Sequence, residues 1–281
     1  MNATFGWLDA LILGLVQGLT EFLPVSSSAH LRILGPLLPG GADPGAAFTA
    51  ITQLGTELAV LIYFRKDVCN MWLAWCASLR GRQGLQGQPM HPDAKLAWLV
   101  IVGTIPICVA GLLLRDWIES AFRTLALTAV LLIVFGLLLG WAQRHGAQTR
   151  QIQQLRWSDG VWLGLAQAMA LVPGVSRSGG TITAALLLGL TREAAARFSF
   201  LLAIPAVLMS GVYQLLFKRA PMTAEQWGLT LVATAVAFVV GYAVIVWFMR
   251  LISNKGFGFF VIYRVVLGLA ILLGLHFGFI H

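Results

Sequence analysis

The sequence predicts an all-α polytopic membrane protein: an inverted repeat with six full transmembrane helices and two re-entrant helical hairpins meeting near the midplane. Three observations predict it. The 281-residue chain is 58% hydrophobic and only 11% charged, whereas a soluble domain carries roughly a quarter charged residues. Six apolar runs have the length of a spanning helix, about 20 residues. Two further apolar stretches are each interrupted by a polar, serine-rich motif, and the two motifs resemble each other.

Taken in chain order, the first broken stretch is Leu8–Leu38, interrupted at Pro24. Proline lacks an N–H and clashes with the preceding turn, so a continuous helix through it is disfavoured. Each half is too short to span, and the stretch reads as a helix in, a polar turn at depth and a helix out. Such a backbone break is tolerated only where protein or a wet cavity surrounds it. Spans follow at Ala46–Phe64, Leu96–Leu114 and Leu125–Trp141. The second broken stretch is Val161–Leu190, interrupted at Pro173-Gly174, and the remaining spans are Phe198–Leu216, Leu229–Met249 and Phe257–Ile280. Between Phe64 and Leu96 a basic loop is expected, including the Gly- and Gln-rich linker Arg80–Pro92. The N-terminus shows neither a basic n-region nor an A-x-A site, so Met1–Leu23 does not read as a removable signal peptide. Cys69, Cys76 and Cys108 lack metal spacing and read as buried apolar thiols. Trp72, Trp75, Trp98, Trp117, Trp141, Trp157, Trp162 and Trp247 mostly flank spans and read as interfacial anchors.

The net charge of +8 does not point to nucleic acid, because the cations sit at the ends of apolar runs and no basic stripe interleaves with aromatics. Membrane lipids are the expected partners. The cations also test the topology. Arg65, Lys66, Arg80, Arg82, Lys95, Arg144, Arg150, Arg156, Arg192, Arg197, Arg250 and Lys255 fall on one side if the second stretch is re-entrant. Arg115, Arg123, Lys218 and Arg219 fall on the other, twelve against four. A full crossing at that stretch would make it ten against six. The positive-inside rule therefore favours re-entrant hairpins and puts the basic loops in the cytoplasm. The first hairpin then enters from the extracytoplasmic side and the second from the cytoplasmic side. The repeat units are about residues 1–143 and 144–281 of a single integral membrane domain.

The motifs are Gln17-Gly-Leu-Thr-Glu21-Phe-Leu-Pro-Val-Ser26-Ser27-Ser28-Ala-His30 and Gln167-Ala-Met-Ala-Leu-Val-Pro-Gly-Val-Ser176-Arg177-Ser178-Gly-Gly-Thr181. Displaced by 150 positions, Leu13, Gly14, Leu15, Gln17, Val25, Ser26 and Ser28 fall on identical residues. Polar and charged groups are costly in hydrocarbon, so their appearance there twice points to joint use. In the second motif, glycines permit close backbone approach and the helix that follows offers N–H donors. Arg177 adds a fork suited to phosphate oxygens, and Ser176, Ser178 and Thr181 supply hydroxyls. The bland counterpart is an arginine that binds carbonyls in a helix break.

In the first motif, Gln17 and Glu21 are one helical turn apart on one face. Glu21 could ligate a divalent cation or act as an acid/base, and Gln17 offers a carbonyl oxygen to the same ion. Oxygen ligands with substrate phosphates suit Mg²⁺ or Ca²⁺. Ser27 and His30 are close to one turn apart and could form a nucleophile and base, or His30 could attack phosphorus itself. The bland counterparts are a helix cap at Ser26–Ser28 and a satisfied core histidine. Gln53, Glu57, Gln167 and Arg264 read as helix–helix hydrogen-bonding groups or as groups supporting the site, with the first preferred. Asp9 is expected near an interface.

These residues resemble the signatures of the undecaprenyl-pyrophosphate phosphatases of the bacitracin-resistance type, over nearly the whole chain. The resemblance implies removal of the terminal phosphate of undecaprenyl pyrophosphate in a bacterial inner membrane, recycling the lipid carrier for peptidoglycan and conferring bacitracin resistance. It implies that Gln17 and Glu21 form the family's Glu/Gln-x-x-x-Glu element, that Ser27 and His30 belong to the catalytic group, and that Ser176, Arg177 and Thr181 bind phosphate. Ser26 and Ser178 join the pyrophosphate-binding set, and Arg177 also serves catalysis. Glu21, rather than Gln17, is then the centre of metal or acid/base work. Attack by Ser27, by His30 or by activated water all stay open, and a homodimer is a candidate assembly; the active site is expected on the extracytoplasmic side, from which the motif with Glu21 and His30 enters and as the resemblance implies. The competing reading is a transporter or flippase for an anionic lipid or solute, which needs an anion site and alternating access but no nucleophile.

Overall fold

Chains that are apolar almost throughout bury their few polar groups and leave hydrocarbon outside, and this chain does so. A computed structural model gives its structure and describes residues 6–38, 45–80, 90–114, 117, 124–217 and 222–279. Among these, eleven α-helices occur and no strand, only an isolated bridge between Arg150 and Leu190. They are α1 (Trp7–Thr20), α2 (Ser27–Leu34), α3 (Gly45–Tyr63), α4 (Arg65–Leu79), α5 (Pro92–Leu113), α6 (Leu125–His145), α7 (Trp157–Ala168), α8 (Arg177–Leu187), α9 (Arg192–Phe217), α10 (Ala224–Lys255) and α11 (Gly258–His276). The expected residues 81–89 of the linker, together with Arg82, Arg115, Arg123, Lys218, Arg219 and Ile280, lie outside the described residues.

Five helices, α5, α6, α9, α10 and α11, are long and apolar enough to cross a membrane. They coincide with five of the six expected spans. The sixth, Ala46–Phe64, falls on α3, whose described apolar part is the shorter Phe48–Tyr63. At 1.5 Å per residue, the 32-residue α10 is about 48 Å long, well beyond a hydrocarbon core of about 30 Å. Its polar ends, capped by Thr223 and Gln226 at one end and carrying Lys255 at the other, account for the excess over Leu229–Met249.

Two expectations are corrected. The basic segment after Phe64 is not a loop as far as Leu79 but helix α4. Its sequence contains no Gly or Pro, and Asp67 sits in the first turn, where the helix dipole favours an acid. Cys69 is exposed and Cys76 and Cys108 are half-buried, so the three free thiols are not core groups. The tryptophans divide: Trp72, Trp117, Trp141, Trp157, Trp162 and Trp247 are exposed, while Trp75 packs edge-on against Trp98 between α4 and α5.

The two broken stretches are local structures of the same kind. α1 stops at Thr20 and α2 starts at Ser27; α7 stops at Ala168 and, after a short 3₁₀ turn, α8 starts at Arg177. Asp9 is buried, and its carboxylate accepts the Gly6 N–H at 2.9 Å to cap α1. Asp159 caps α7 by accepting the Arg156 N–H at 2.8 Å. The segment before α7 pairs with the turn after α8: Thr149 N–H donates to Gly189 O at 3.0 Å and Thr191 N–H donates to Arg150 O at 2.9 Å. Gly189 makes that turn at φ 87, a conformation costly for side-chain-bearing residues.

α1 packs along α10, α7 along α5, α3 on α9 and α11 on α6. Small residues make the first two contacts close, as expected where no hydrophobic force drives helices together in lipid. A Cβ on Gly14 would lie 2.5 Å from Ala233 O, and one on Gly164 would lie 2.4 Å from Gly103 O. Buried Phe22, Phe198, Phe200, Phe248 and Phe260 fill the interior. Outside, Leu8, Leu11, Leu15 and Leu19 of α1 and Phe259, Ile262, Val266, Leu269 and Leu273 of α11 are exposed. An apolar exterior around buried polar residues is the pattern of a multi-pass membrane protein.

Gly164→Val should lower the stability of the detergent-solubilised protein by about 1–3 kcal/mol, the usual cost of forcing bulk into a packed contact. Thermal unfolding monitored by circular dichroism measures it.

Candidate active site

Both helix breaks end on a serine in the left-handed region, Ser26 at φ 72 and Ser176 at φ 71. A non-glycine residue held there costs about 1–3 kcal/mol and persists only where its surroundings impose it. What imposes it is the way the breaks lock together. Ser26 Oγ lies 3.2 Å from Ser28 Oγ, and Ser176 Oγ lies 3.2 Å from Ser178 Oγ. Ser26 Oγ accepts the Gly174 N–H at 3.3 Å, while Ser178 Oγ donates to Leu23 O at 3.0 Å. Ser176 Oγ caps α8 by accepting the Gly179 N–H at 3.1 Å. Each break therefore uses a serine to reach the other.

Arg264 of α11 sits between them, with no exposed surface. Its Nη1 donates to Pro24 O at 3.0 Å, and its Nη2 donates to Gly174 O at 2.7 Å and Val175 O at 3.0 Å. Nε reaches Leu132 O on α6 at 3.2 Å. Carbonyls freed by the two helix breaks are thus satisfied by one side chain, as burial demands. Gly179 leaves it room, since a Cβ there would lie 2.5 Å from Arg264 Nη1. Arg264 thus makes a helix–helix bond to Leu132 O and also bonds the carbonyls of both breaks.

Against this frame the charged groups converge. Glu21 closes α1 and is buried. Its Oε1 receives Arg177 Nη2 at 2.6 Å. Its Oε2 accepts Ser27 Oγ–H at 2.6 Å and Gln17 Nε2–H at 2.7 Å. Arg177 Nη2 also lies 4.0 Å from Glu57 Oε2 on α3. Residues 156 positions apart in sequence are brought into direct contact.

The expected Ser27–His30 partnership is not what the hydrogen bonds make. Ser27 is bonded to Glu21. His30 Nδ1 lies 2.8 Å from Ser26 O, which can only accept, so Nδ1 carries the proton. In the neutral ring, Nε2 then accepts from Tyr263 Oη, 2.6 Å away. The helical geometry of α2 explains it: His30 is four residues after Ser26 and reaches back to that carbonyl. Thr181 is fully buried, and its hydroxyl is spent on Arg177 O at 2.7 Å and on Ser199 Oγ. Sequence reasoning missed Tyr263 and Ser199. Tyr263 adjoins Arg264, an arginine inside an apolar run, and that arginine was the available signal; Ser199 had none.

For a divalent ion, the donor chemistry fits. Gln17 Oε1 and both carboxylate oxygens of Glu57 are buried without a hydrogen-bond partner, and oxygen atoms of this kind suit Mg²⁺ or Ca²⁺. Among the described residues no group of three or more His, Cys, Asp or Glu forms a cage by itself, so an ion here would draw further ligands from the phosphates, as Mg²⁺ usually does.

Comparison with known proteins follows this geometry. The family profile described as "Bacitracin resistance protein BacA" matches residues 10–270. Undecaprenyl-diphosphatase 2 of Agrobacterium fabrum is 58% identical over 270 residues, covering 96% of this chain and 95% of that protein. Undecaprenyl-diphosphatase of Micrococcus luteus is 59% identical over 265 residues, covering 93% and 94% respectively. That of Pseudarthrobacter chlorophenolicus is 56% identical over 278 residues, covering 98% and 99%.

Arg264→Leu should orphan the carbonyls of Pro24, Gly174 and Val175, at about 1–3 kcal/mol for each that stays dry. The expected outcome is a lower thermal midpoint in detergent, with Arg264→Lys restoring little because an ammonium lacks the planar fork.

Proposed function

Since the chain belongs to the bacitracin resistance protein BacA family, we propose that it hydrolyses undecaprenyl diphosphate to undecaprenyl phosphate and inorganic phosphate. That reaction recycles the lipid carrier for peptidoglycan synthesis and keeps it from capture by bacitracin. The observation that carries the catalytic assignment is the pair of short contacts on one buried carboxylate: Ser27 Oγ–H and Arg177 both on Glu21 at 2.6 Å.

The chemistry follows from these contacts. Pyrophosphate arrives with several negative charges, and phosphoryl transfer is chiefly positioning and charge stabilisation. Arg177, at the N-terminus of α8, receives the terminal phosphate. Glu21 takes the Ser27 proton as Oγ attacks the terminal phosphorus. The bridging P–O bond breaks with its electrons on the carrier phosphate, to which Glu21 passes the proton. Glu21 then takes a proton from the water that attacks the phosphoserine phosphorus and returns it to Ser27 Oγ as the Oγ–P bond breaks, releasing inorganic phosphate. His30 has both ring nitrogens engaged, which favours a positioning part: it holds Ser26 O and with it the first turn of α2. Ser26, Ser176, Ser178 and Thr181 shape the phosphate cradle through the bonds described above. A divalent ion, Mg²⁺ or Ca²⁺, held by Glu21 and Gln17 would add charge neutralisation as a Lewis acid. A transport-only reading gives no reason for a serine hydroxyl directed at a carboxylate.

The same proposal extends to topology. Six spans and two re-entrant hairpins, arranged as inverted repeats of about residues 1–143 and 144–281, are supported by paired features: Asp9 and Asp159 as caps, Ser26 and Ser176 at the same φ, and α1 on α10 as α7 on α5. The basic loops face the cytoplasm of a bacterial inner membrane, and the active site opens to the extracytoplasmic side, with the prenyl tail in lipid. A homodimer would bury part of the apolar exterior of α1 or α11.

Purified protein given a long-chain prenyl pyrophosphate should release inorganic phosphate and lose that activity in EDTA. Glu21→Ala, Ser27→Ala and Arg177→Ala should each reduce kcat by about 100-fold or more, the scale of losing a general base or a charge-stabilising donor. Full activity in Ser27→Ala would transfer the attack to water or His30. In a background free of the native cysteines, Gln83→Cys should resist a membrane-impermeant thiol reagent in intact cells; labelling would invert the orientation.

A further inference from the structure

Glu57 has no part in the proton transfers derived above, yet its placement is unusual. It projects from α3, is 1% exposed, and neither carboxylate oxygen has a hydrogen-bond partner. An ionisable side chain at membrane depth is expensive to keep. Its charged neighbour is Arg177, whose Nη2 lies 4.0 Å from Glu57 Oε2 and 2.6 Å from Glu21 Oε1. One guanidinium nitrogen thus faces two carboxylates from two different helices. Nε and Nη1 take no part in these two contacts.

The difference that bears on proton transfer is that Glu21 accepts the Ser27 hydroxyl at 2.6 Å and Glu57 does not. When Glu21 takes the Ser27 proton, its charge vanishes, and with it the ion pair that orients Arg177. At that moment the phosphorus is most in need of a fixed cation. We propose that Glu57 is the positioning residue that holds Arg177 Nη2 while Glu21 is protonated, so that the guanidinium stays aimed at the transferring phosphate. The proton moves from Ser27 Oγ to Glu21 Oε2 as Oγ bonds the terminal phosphorus and the electrons of the broken bridging P–O bond pass to the carrier phosphate; Arg177 shifts its pairing from Glu21 Oε1 to Glu57 Oε2. A residue with this role acts after substrate is bound, and therefore on kcat rather than on KM.

This inference rests on the phosphatase reading, and the experiment separates the two. Wild-type protein that releases no phosphate from a prenyl pyrophosphate sinks both. With an active wild type, Glu57→Gln should lower kcat about 10- to 100-fold, the range for removing one partner of a charged contact, while KM stays within about threefold. Glu57→Asp should recover part of the loss. Binding of a non-hydrolysable prenyl methylenebisphosphonate, measured by thermal shift, should match wild type. The thermal midpoint of Glu57→Gln without ligand should be no lower than wild type, because an unpartnered buried carboxylate is removed. In an Arg177→Lys background, Glu57→Gln should cost less than about threefold further, since coupled residues are not additive. A loss that multiplies fully with Arg177→Lys, a fall in thermal midpoint that accounts for the loss, or unchanged kcat in Glu57→Gln would each overturn the assignment while leaving the phosphatase reading intact.

Discussion

One guanidinium carries the architecture of the site. Breaking two helices inside an apolar protein frees backbone carbonyls that neither water nor a neighbouring strand can reach. Arg264 answers carbonyls from both breaks at once, Pro24 O in one and Gly174 O and Val175 O in the other. It also reaches Leu132 O, so the breaks are fixed to α6 as well as to α11. Because the same side chain serves both, the distance between the breaks is set by the width of a guanidinium. The serine cross-contacts, Ser26 with Gly174 and Ser178 with Leu23, then fix their relative rotation. The Arg177–Glu21 ion pair spans the two breaks and depends on that juxtaposition.

With the breaks fixed, the charges of the site complete one another. Glu21 is surrounded by three donors, Arg177, Ser27 and Gln17. A carboxylate buried this deeply would be very costly alone, and a paired one is tolerated. The pairing also keeps the Ser27 hydroxyl directed at the Glu21 carboxylate. For the chemistry we propose, groups held in this way need little rearrangement, which is the physical content of a preorganised site. Tyr263 and His30 extend the support to the first turn of α2, tying it to the helix that carries Arg264.

Stability and function are in tension at several positions. Two serines adopt left-handed backbone conformations, and Glu57 is buried without a hydrogen bond. Each lowers stability, and all lie where the breaks meet or where Arg177 is held. Close helix contacts at Gly14 with Ala233 and Gly164 with Gly103 offset this by bringing α1 and α7 firmly against their long neighbours.

The sequence by itself determined the all-helical membrane class, five of the spans and the two places where helices break. It did so because those features are local: apolar run length and a proline without an N–H act over a few turns. It also singled out Glu21, Ser27, His30, Arg177 and Arg264, since polar groups in an apolar chain stand out by composition alone. Helix α4 escaped notice because its weak, partly charged pattern reads equally well as a loop. The tertiary structure alone decided which polar groups meet. Ser27 pairs with Glu21 rather than with His30, Thr181 with Ser199, and Arg177 with carboxylates from α1 and α3. Spacing along one helix fixes direction only within that helix. Partners on different helices are set by how those helices pack, and here that packing turns on a buried arginine some 240 residues from the first break it binds.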